Sequence, residues 1–165
     1  MIILGIDPGY QRCGWGVLEK GINTSFVACG LIEIKTNTSA DIVSDAVMRL
    51  SQLQSQLQAV LVTHTPDIVA IESIFFSNNA KTVIGVAQAR GVILASIGSI
   101  PQTPRVMEYT PNQIKSAVTG SGSADKKAVE KMMRLQLAGI PENTIDDTID
   151  ALAIAYTASF EKDYS

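Results

Sequence analysis

The chain has 165 residues, 46% of them hydrophobic, and carries a formal net charge of −3. This length is typical of one globular domain with its own core, and we expect that domain to span residues 1–165. The sequence has no run of about 18 uncharged apolar residues and no basic export flank at its start, so we expect a cytoplasmic protein without a membrane contact.

Three strands open the chain and are expected to form an antiparallel meander. The apolar runs at 2–7, 13–19 and 25–35 are separated by turns that contain Gly or Asn. From 39 to 62 apolar residues recur at helical spacing, which predicts an amphipathic helix. The β-branched run at 67–72 does not alternate, as expected of a strand that is covered on both faces.

Helices dominate the remainder of the sequence. Residues 79–99 predict a helix that is apolar around much of its circumference and therefore needs a second covering surface. A strand at 103–109 is followed by Thr110, whose spacing to Pro and Gln predicts a helix start. Further helices are predicted at 125–138 and from about 144 to 161, with Thr144 as the expected cap of the last. The pattern indicates an α/β fold with a mixed sheet and helices packed on it.

The cysteines and the histidine lack the spacing of a metal site. Cys13 and Cys29 lie within strand patterns without a CxxC spacing, and His64 is the single histidine. A zinc site is therefore unfavoured, and we expect two buried, reduced thiols.

Charge is unevenly distributed along the chain. Residues 81–134 contain eight basic and three acidic side chains, a net charge of +5, which leaves −8 for the rest. A basic middle next to acidic ends is compatible with binding of a polyanion near a carboxylate cluster, and equally with ordinary solvated helix faces.

Two carboxylates stand at the ends of buried-type strands. Asp7 ends the first run and Glu72 ends the fourth, so the two side chains converge if these strands pair. Each residue alone is equally typical of a turn.

Two further carboxylates share one face of the last helix. Asp147 and Asp150 are three residues apart, which corresponds to a rise of about 4.5 Å, whereas Asp146 is expected to point elsewhere. Acidic residues in a first turn also stabilise the helix dipole, which is the alternative for Asp146 and Asp147. Asp150 lies beyond that turn, directly before an apolar stretch, where an uncompensated charge is costly.

Four converging carboxylates predict a divalent cation site. They repel one another unless a cation neutralises them, and oxygen ligands favour Mg²⁺ or Mn²⁺ over Zn²⁺. Two such ions about 4 Å apart would act on the attacking water and the leaving oxygen of a phosphodiester. This combination indicates metal-dependent hydrolysis of a nucleic-acid backbone.

Six sequence blocks follow one another through nearly the whole chain. They are GIDPG at 5–9, VAIE at 69–72, QARG at 88–91, YTPNQIK at 109–115, TGSGSADK at 119–126 and DTIDALAIA at 147–155. In order and spacing they closely resemble the RuvC family of Holliday-junction resolvases, which belongs to the ribonuclease H-like superfamily. The resemblance implies a ribonuclease H-like, five-stranded sheet, antiparallel in strands one to three and then parallel, with helices on both faces.

The resemblance also assigns an activity and its residues. It implies a crossover junction endodeoxyribonuclease that resolves four-way DNA junctions by paired symmetric nicks in recombination and repair, with two Mg²⁺ ions per site that Mn²⁺ can replace. The implied catalytic and metal-binding residues are Asp7, Glu72, Asp147 and Asp150. The residues implied to contact DNA are Lys115, Lys126 and Phe75, the last by stacking on bases while Phe76 packs in the interior.

The resemblance further implies partners for the chain. The helix at 79–99 corresponds to the subunit interface of a homodimer, which offers one active site to each of two symmetry-related scissile bonds. A branch-migration complex of the Ruv system is the implied protein partner. The sequence departs from the family pattern at 77–81, where a Lys commonly precedes Asn-Ala, so DNA contacts of that loop are left open.

Three other protein classes share parts of this pattern. An actin-like or sugar-kinase ATPase also opens with a strand ending in Asp, but it needs two domains and a second phosphate loop. A ribonuclease H-like module that binds without cutting is expected to lose one of the four carboxylates. A related resolvase-like family implicated in RNA processing shares the fold and the opening motif, but QARG and TGSGSADK favour the RuvC family.

Overall fold

Five strands form one mixed sheet in the order β3-β2-β1-β4-β5. We describe a computed structural model over residues 1–9, 11–36, 41–73 and 80–161, without the side chains of 80–82. The strands are β1 (Ile2–Asp7), β2 (Arg12–Lys20), β3 (Thr24–Glu33), β4 (Ile68–Glu72) and β5 (Arg105–Tyr109). The first three are antiparallel, whereas β4 is parallel to β1 and β5 is parallel to β4. The predicted topology is confirmed.

Helices cover both faces of this sheet. They are α1 (Ile42–His64), α2 (Ala80–Gly98), α3 (Pro111–Thr119), α4 (Lys126–Gln136) and α5 (Asp146–Ser159). Thr110 caps α3 in the predicted capping box, because its side chain accepts the Gln113 N–H while the Gln113 side chain accepts the Thr110 N–H.

The expected cap of the last helix is wrong. Ile145 occupies the cap position of α5 without a side-chain hydrogen bond. The Thr144 hydroxyl instead donates to the carbonyl of Pro141, at 2.7 Å, and so stabilises the preceding turn.

Strand alternation divides the interior into two apolar layers. Ile3 of β1 and Ala70 of β4 face α3, α4 and α5, whereas Leu4 and Ile71 face α1 and α2. The first four residues of β4 are buried, which confirms a strand covered on both faces. Asp7 and Glu72 continue the alternation of Ile3 and Ala70, so both belong to the face that carries α5.

Glycines on β1 and β2 let α5 lie directly against the sheet backbone. A Cβ at Gly5 would be 2.1 Å from the carbonyl oxygen of Ala151, and one at Gly16 would be 2.7 Å from a Leu152 methyl carbon. Gly5 and Gly16 are direct cross-strand partners and therefore present the same face of the sheet. We call this pair, together with Gly14, the glycine seat of α5.

Three further expectations have mixed outcomes. Cys13 is a buried free thiol as expected, but Cys29 is only half-buried. In the described part of α2, Ala89, Ile93 and Ile97 are buried, while other positions remain exposed. Among the helices that the structure describes, none is long and apolar enough to cross a membrane.

Candidate metal-dependent active site

Asp7 and Glu72 lie side by side at the ends of two neighbouring parallel strands. The β1–β4 register pairs Leu4 with Val69 and Ile6 with Ile71. One further residue along both strands places Asp7 beside Glu72, on the face that carries α5. Strands one and four do pair, which is the condition under which the sequence analysis expects Asp7 and Glu72 to converge.

Asp147 and Asp150 approach Asp7 because the glycine seat holds the first turn of α5. Gly14 is the cross-strand partner of Asp7. A Cβ at Gly14 would be 2.0 Å from the carbonyl oxygen of Asp147, so only glycine permits this distance between helix and strand. The position of Asp147 is thus set by the residue that lies directly opposite Asp7.

The four carboxylates influence one another electrostatically. Burial, followed by the negative charges of Glu72, Asp150 and Asp147, raises the pKa of Asp7 from 3.8 to about 7. Burial and the Asp150 charge also raise the pKa of Glu72. The protein alone therefore stabilises the ionised forms of Asp7 and Glu72 less well than water does.

Two cations contact the carboxylates of α5. The Lys126 Nζ is 3.0 Å from the Asp150 Oδ2 and 3.6 Å from the Asp146 Oδ2. Asp146 was expected to point away from this charge cluster, and that expectation is wrong. The Arg12 Nε is 3.1 Å from the Asp147 Oδ2. Burial outweighs the Lys126 contact at Asp150, whose pKa is still raised.

A cleft of about 230 Å³ opens beside these carboxylates. Glu72 and Asp150 line it together with Lys115 and Lys126, the two lysines that the family resemblance implies as DNA contacts. The positive charge of Lys115 lowers the pKa of Glu72, opposing the effect of burial. Glu72, Asp150 and the two lysines therefore share one opening, as expected of a site that binds a metal ion and a phosphate group.

The donor set fits a hard divalent cation, although the ligands are not yet gathered around one point. In the described part of the chain, no three carboxylate, imidazole or thiolate groups are close enough to hold one ion as they stand. Yet the groups are all carboxylates, which are ligands that hard divalent cations prefer. The charges of Glu72, Asp150 and Asp147 repel an ionised Asp7, and a bound divalent cation would relieve that repulsion. Asp7, Glu72, Asp147 and Asp150 are the residues that would hold it.

The structure brings together six of the seven residues singled out from the sequence. They are Asp7, Glu72, Asp147, Asp150, Lys115 and Lys126. Phe75 lies outside the described residues, as does Phe76. Sequence reasoning missed Arg12 and the role of Gly14. Strand alternation was the available signal, because it places Arg12, Gly14 and Gly16 on the same face of β2.

Comparisons with known proteins agree with this arrangement. The family model described as crossover junction endodeoxyribonuclease RuvC matches residues 3–158. The RuvC protein of Caldicellulosiruptor saccharolyticus is 40% identical over 157 residues, covering 94% of this chain and 90% of the relative. That of Thermosipho melanesiensis is 41% identical over 164 residues, covering 98% of each chain.

Solved structures give the same result. T. thermophilus RuvC in complex with a Holliday junction substrate superposes with a TM-score of 0.84 and 30% identity, over 97% of this chain and 93% of that chain. The yeast mitochondrial resolvase Ydc2 superposes with a TM-score of 0.66 over 95% of this chain and 78% of that chain. At 16% identity the yeast protein shows a common fold alone.

Proposed function

The chain belongs to the crossover junction endodeoxyribonuclease RuvC family, and from this premise we propose that it cuts four-way DNA junctions. The observation that carries the proposal is the convergence of Asp7, Glu72 and the α5 carboxylates on one sheet face, next to a cleft lined by two lysines. We place the activity in recombination and repair, in one domain spanning 1–165 and located in the cytoplasm.

Asp7, Glu72, Asp147 and Asp150 are proposed to hold two Mg²⁺ ions, which Mn²⁺ can replace. Metal ions held there would supply an activated water and stabilise the charge on the leaving oxygen. Support comes from the raised pKa of Asp7. Neighbouring carboxylates disfavour its ionised form, and a bound cation would stabilise that form.

Lys115 and Lys126 are proposed to bind the phosphate backbone. Both line the cleft beside Glu72 and Asp150, and Lys126 is the first residue of α4, where free backbone N–H groups also favour phosphate. Such contacts contribute affinity and register without reading sequence.

Phe75 is proposed to stack on an unpaired base of the junction. It follows Glu72 in the sequence and lies outside the described residues. Phe75→Ala should therefore impair junction opening, read with a fluorescent base at the crossover, more than it weakens binding to linear duplex. Equal losses on both substrates would contradict the stacking role.

A second copy of this chain is the proposed partner of α2. Ile84 is 60% exposed, and Ala87, Gly91 and Ala95 continue the same side of the helix at spacings of three and four residues. A Cβ at Gly91 would meet no atom within 4 Å, so this side is uncovered in the single chain. A two-fold dimer through it would present two active sites to two scissile bonds. The branch-migration complex remains a proposed partner by family.

The dimer proposal is tested by Gly91→Glu, which places a charge on the uncovered side. Sedimentation should show a dimer for the wild-type protein and a monomer for the variant, and the variant should cut one strand without its symmetric partner. Paired nicks from a protein that sediments as a monomer would contradict the proposed interface.

The function itself is tested by cleavage of a four-way DNA junction, a linear DNA duplex and a structured RNA. Each substrate is incubated with Mg²⁺ and with EDTA. We expect paired, symmetric nicks in the junction with Mg²⁺ only. Duplex cleavage at the same rate would refute junction selectivity, and preferred RNA cleavage would favour an RNA-processing role.

Asp7→Asn is the matched variant for the metal site. It should abolish cutting while junction binding persists, because binding depends on the lysines and the DNA shape. Loss of binding by a folded variant would mean that Asp7 has a structural role instead.

A further inference from the structure

Arg12 contacts the candidate active site from a side that Lys126 does not reach. Its Nε is 3.1 Å from the Asp147 Oδ2, whereas Lys126 contacts Asp146 and Asp150. On a helix, residue 150 neighbours both 146 and 147, whereas 146 and 147 are rotated about 100° from each other, so one cation can bridge 146 and 150 while another contacts 147. The first turn of α5 is therefore contacted by one cation from α4 and by another from β2.

The backbone fixes the position of Arg12. It is the first residue of β2, two residues before Gly14, so both point to the face that carries α5. The approach of Gly9 to Arg12 is equally close, because a Cβ at Gly9 would be 2.1 Å from the carbonyl oxygen of Arg12. Arg12 is thus held at the outer edge of the site by the same hairpin that carries Asp7.

The contact between Arg12 and Asp147 is easily exchanged. The Arg12 side chain is 57% exposed and that of Asp147 is 24% exposed. An ion pair in such a setting changes an equilibrium constant by no more than about fivefold, so a divalent cation displaces it readily. The contact engages Nε, and the two terminal amino groups of the guanidinium carry four more N–H donors.

We propose that Arg12 is a phosphate-binding residue of this site, which neutralises Asp147 until that carboxylate binds a metal ion and then contacts the DNA backbone. The proposal rests on the proposed function, because it assumes a metal at Asp147 and a DNA strand in the cleft. A planar guanidinium with several N–H donors suits a phosphate group. Arg12 lies on β2 and the two cleft lysines lie on α3 and α4, so Arg12 adds positive charge on the other side of the carboxylates.

The first test measures Mg²⁺ binding by isothermal titration calorimetry without DNA. Arg12→Ala and Arg12→Gln remove a competing cation and should bind Mg²⁺ up to about fivefold more tightly than the wild-type protein. Weaker Mg²⁺ binding by both folded variants would overturn the proposal, because it would mean that Arg12 positions Asp147 for the metal.

The second test measures DNA affinity against salt concentration, with Ca²⁺ as a metal that takes the same oxygen ligands. Removal of one phosphate contact should reduce the slope of log affinity against log salt by about 1. We expect this reduction for Arg12→Gln with Ca²⁺, a smaller one without metal, and a slope close to wild type for Arg12→Lys.

The matched control is Arg90→Ala, which breaks an Arg–Glu pair with Glu108 on the α2 side of the sheet. An equal slope change for Arg90→Ala and Arg12→Gln would overturn the proposal, as would an unchanged slope for Arg12→Gln. The slope is measured on linear duplex as well as on the junction. A wild-type protein that does not prefer the junction would refute the proposed function, while the slope on duplex would still decide the role of Arg12.

Discussion

Asp7 should make the metal-free protein less stable as pH rises. Its folded-state pKa is about 7 against an ordinary value of 3.8, so the unfolded chain loses this proton at a lower pH than the folded chain. Between those two values the folded state binds more protons, and the free energy of unfolding falls as pH increases. Below pH 4 the effect is absent, and above pH 7 it is fully developed.

The magnitude follows from the size of the pKa shift. Each pKa unit corresponds to about 1.4 kcal/mol, so a shift of about three units amounts to about 4 kcal/mol at high pH. Asp7→Asn removes this penalty. We therefore compare the free energy of unfolding of the variant with that of the wild type in EDTA. The difference, variant minus wild type, should increase by about 3 kcal/mol between pH 5 and pH 8.

Urea unfolding, read by the fluorescence of the single tryptophan, Trp15, measures this difference. Asp41→Asn is the matched control, because hydrogen bonds from Ser44 lower the pKa of Asp41 and its pH dependence has the opposite sign. Millimolar Mg²⁺ should reduce the penalty by stabilising the ionised form. A difference between Asp7→Asn and wild type that does not vary with pH would refute the electrostatic reasoning.

Two further substitutions test how the site is assembled. Gly14→Ala should lower the free energy of unfolding by about 1–3 kcal/mol and suppress junction cleavage, because the added Cβ would overlap the Asp147 carbonyl. Its control is Gly98→Ala, whose Cβ would meet no atom within 4 Å and which should leave cleavage unchanged. Urea unfolding and the cleavage assay are applied to both variants. Asp125→Ala removes the side chain that caps α4 and should lower the free energy of unfolding by about 1 kcal/mol in the same assay. A decrease no larger than that caused by an exposed Ser→Ala substitution would contradict the capping role.

Strand and helix positions were predictable because apolar periodicity depends on local sequence and on which face is buried. Each predicted strand and helix is present, and pairing of β1 with β4 brought Asp7 and Glu72 together as expected. The cap of α5 was not predictable in this way. Thr144 has the right residue type and spacing, but its hydroxyl is engaged by the Pro141 carbonyl, a contact that depends on the preceding turn.

The cations that contact the carboxylates could be predicted only in part. The family resemblance singled out Lys126, but the contact between Arg12 and Asp147 requires the register of the β1–β2 hairpin and the position of α5 on the glycine seat to be known. A glycine within a strand is compatible with a bulge or with a close backbone approach, and sequence alone does not distinguish the two.

The opening hairpin explains why the clustered carboxylates depend on glycines. Asp7 points to the same face as its cross-strand partner Gly14 and as Gly5, because strand alternation and antiparallel register leave no other choice. A side chain at Gly14 would displace the Asp147 backbone from Asp7, and one at Gly5 would lift α5 at Ala151, one residue beyond Asp150. Asp7 and the glycines therefore depend on one another: the hairpin that presents Asp7 must also leave room for α5, which carries Asp147 and Asp150.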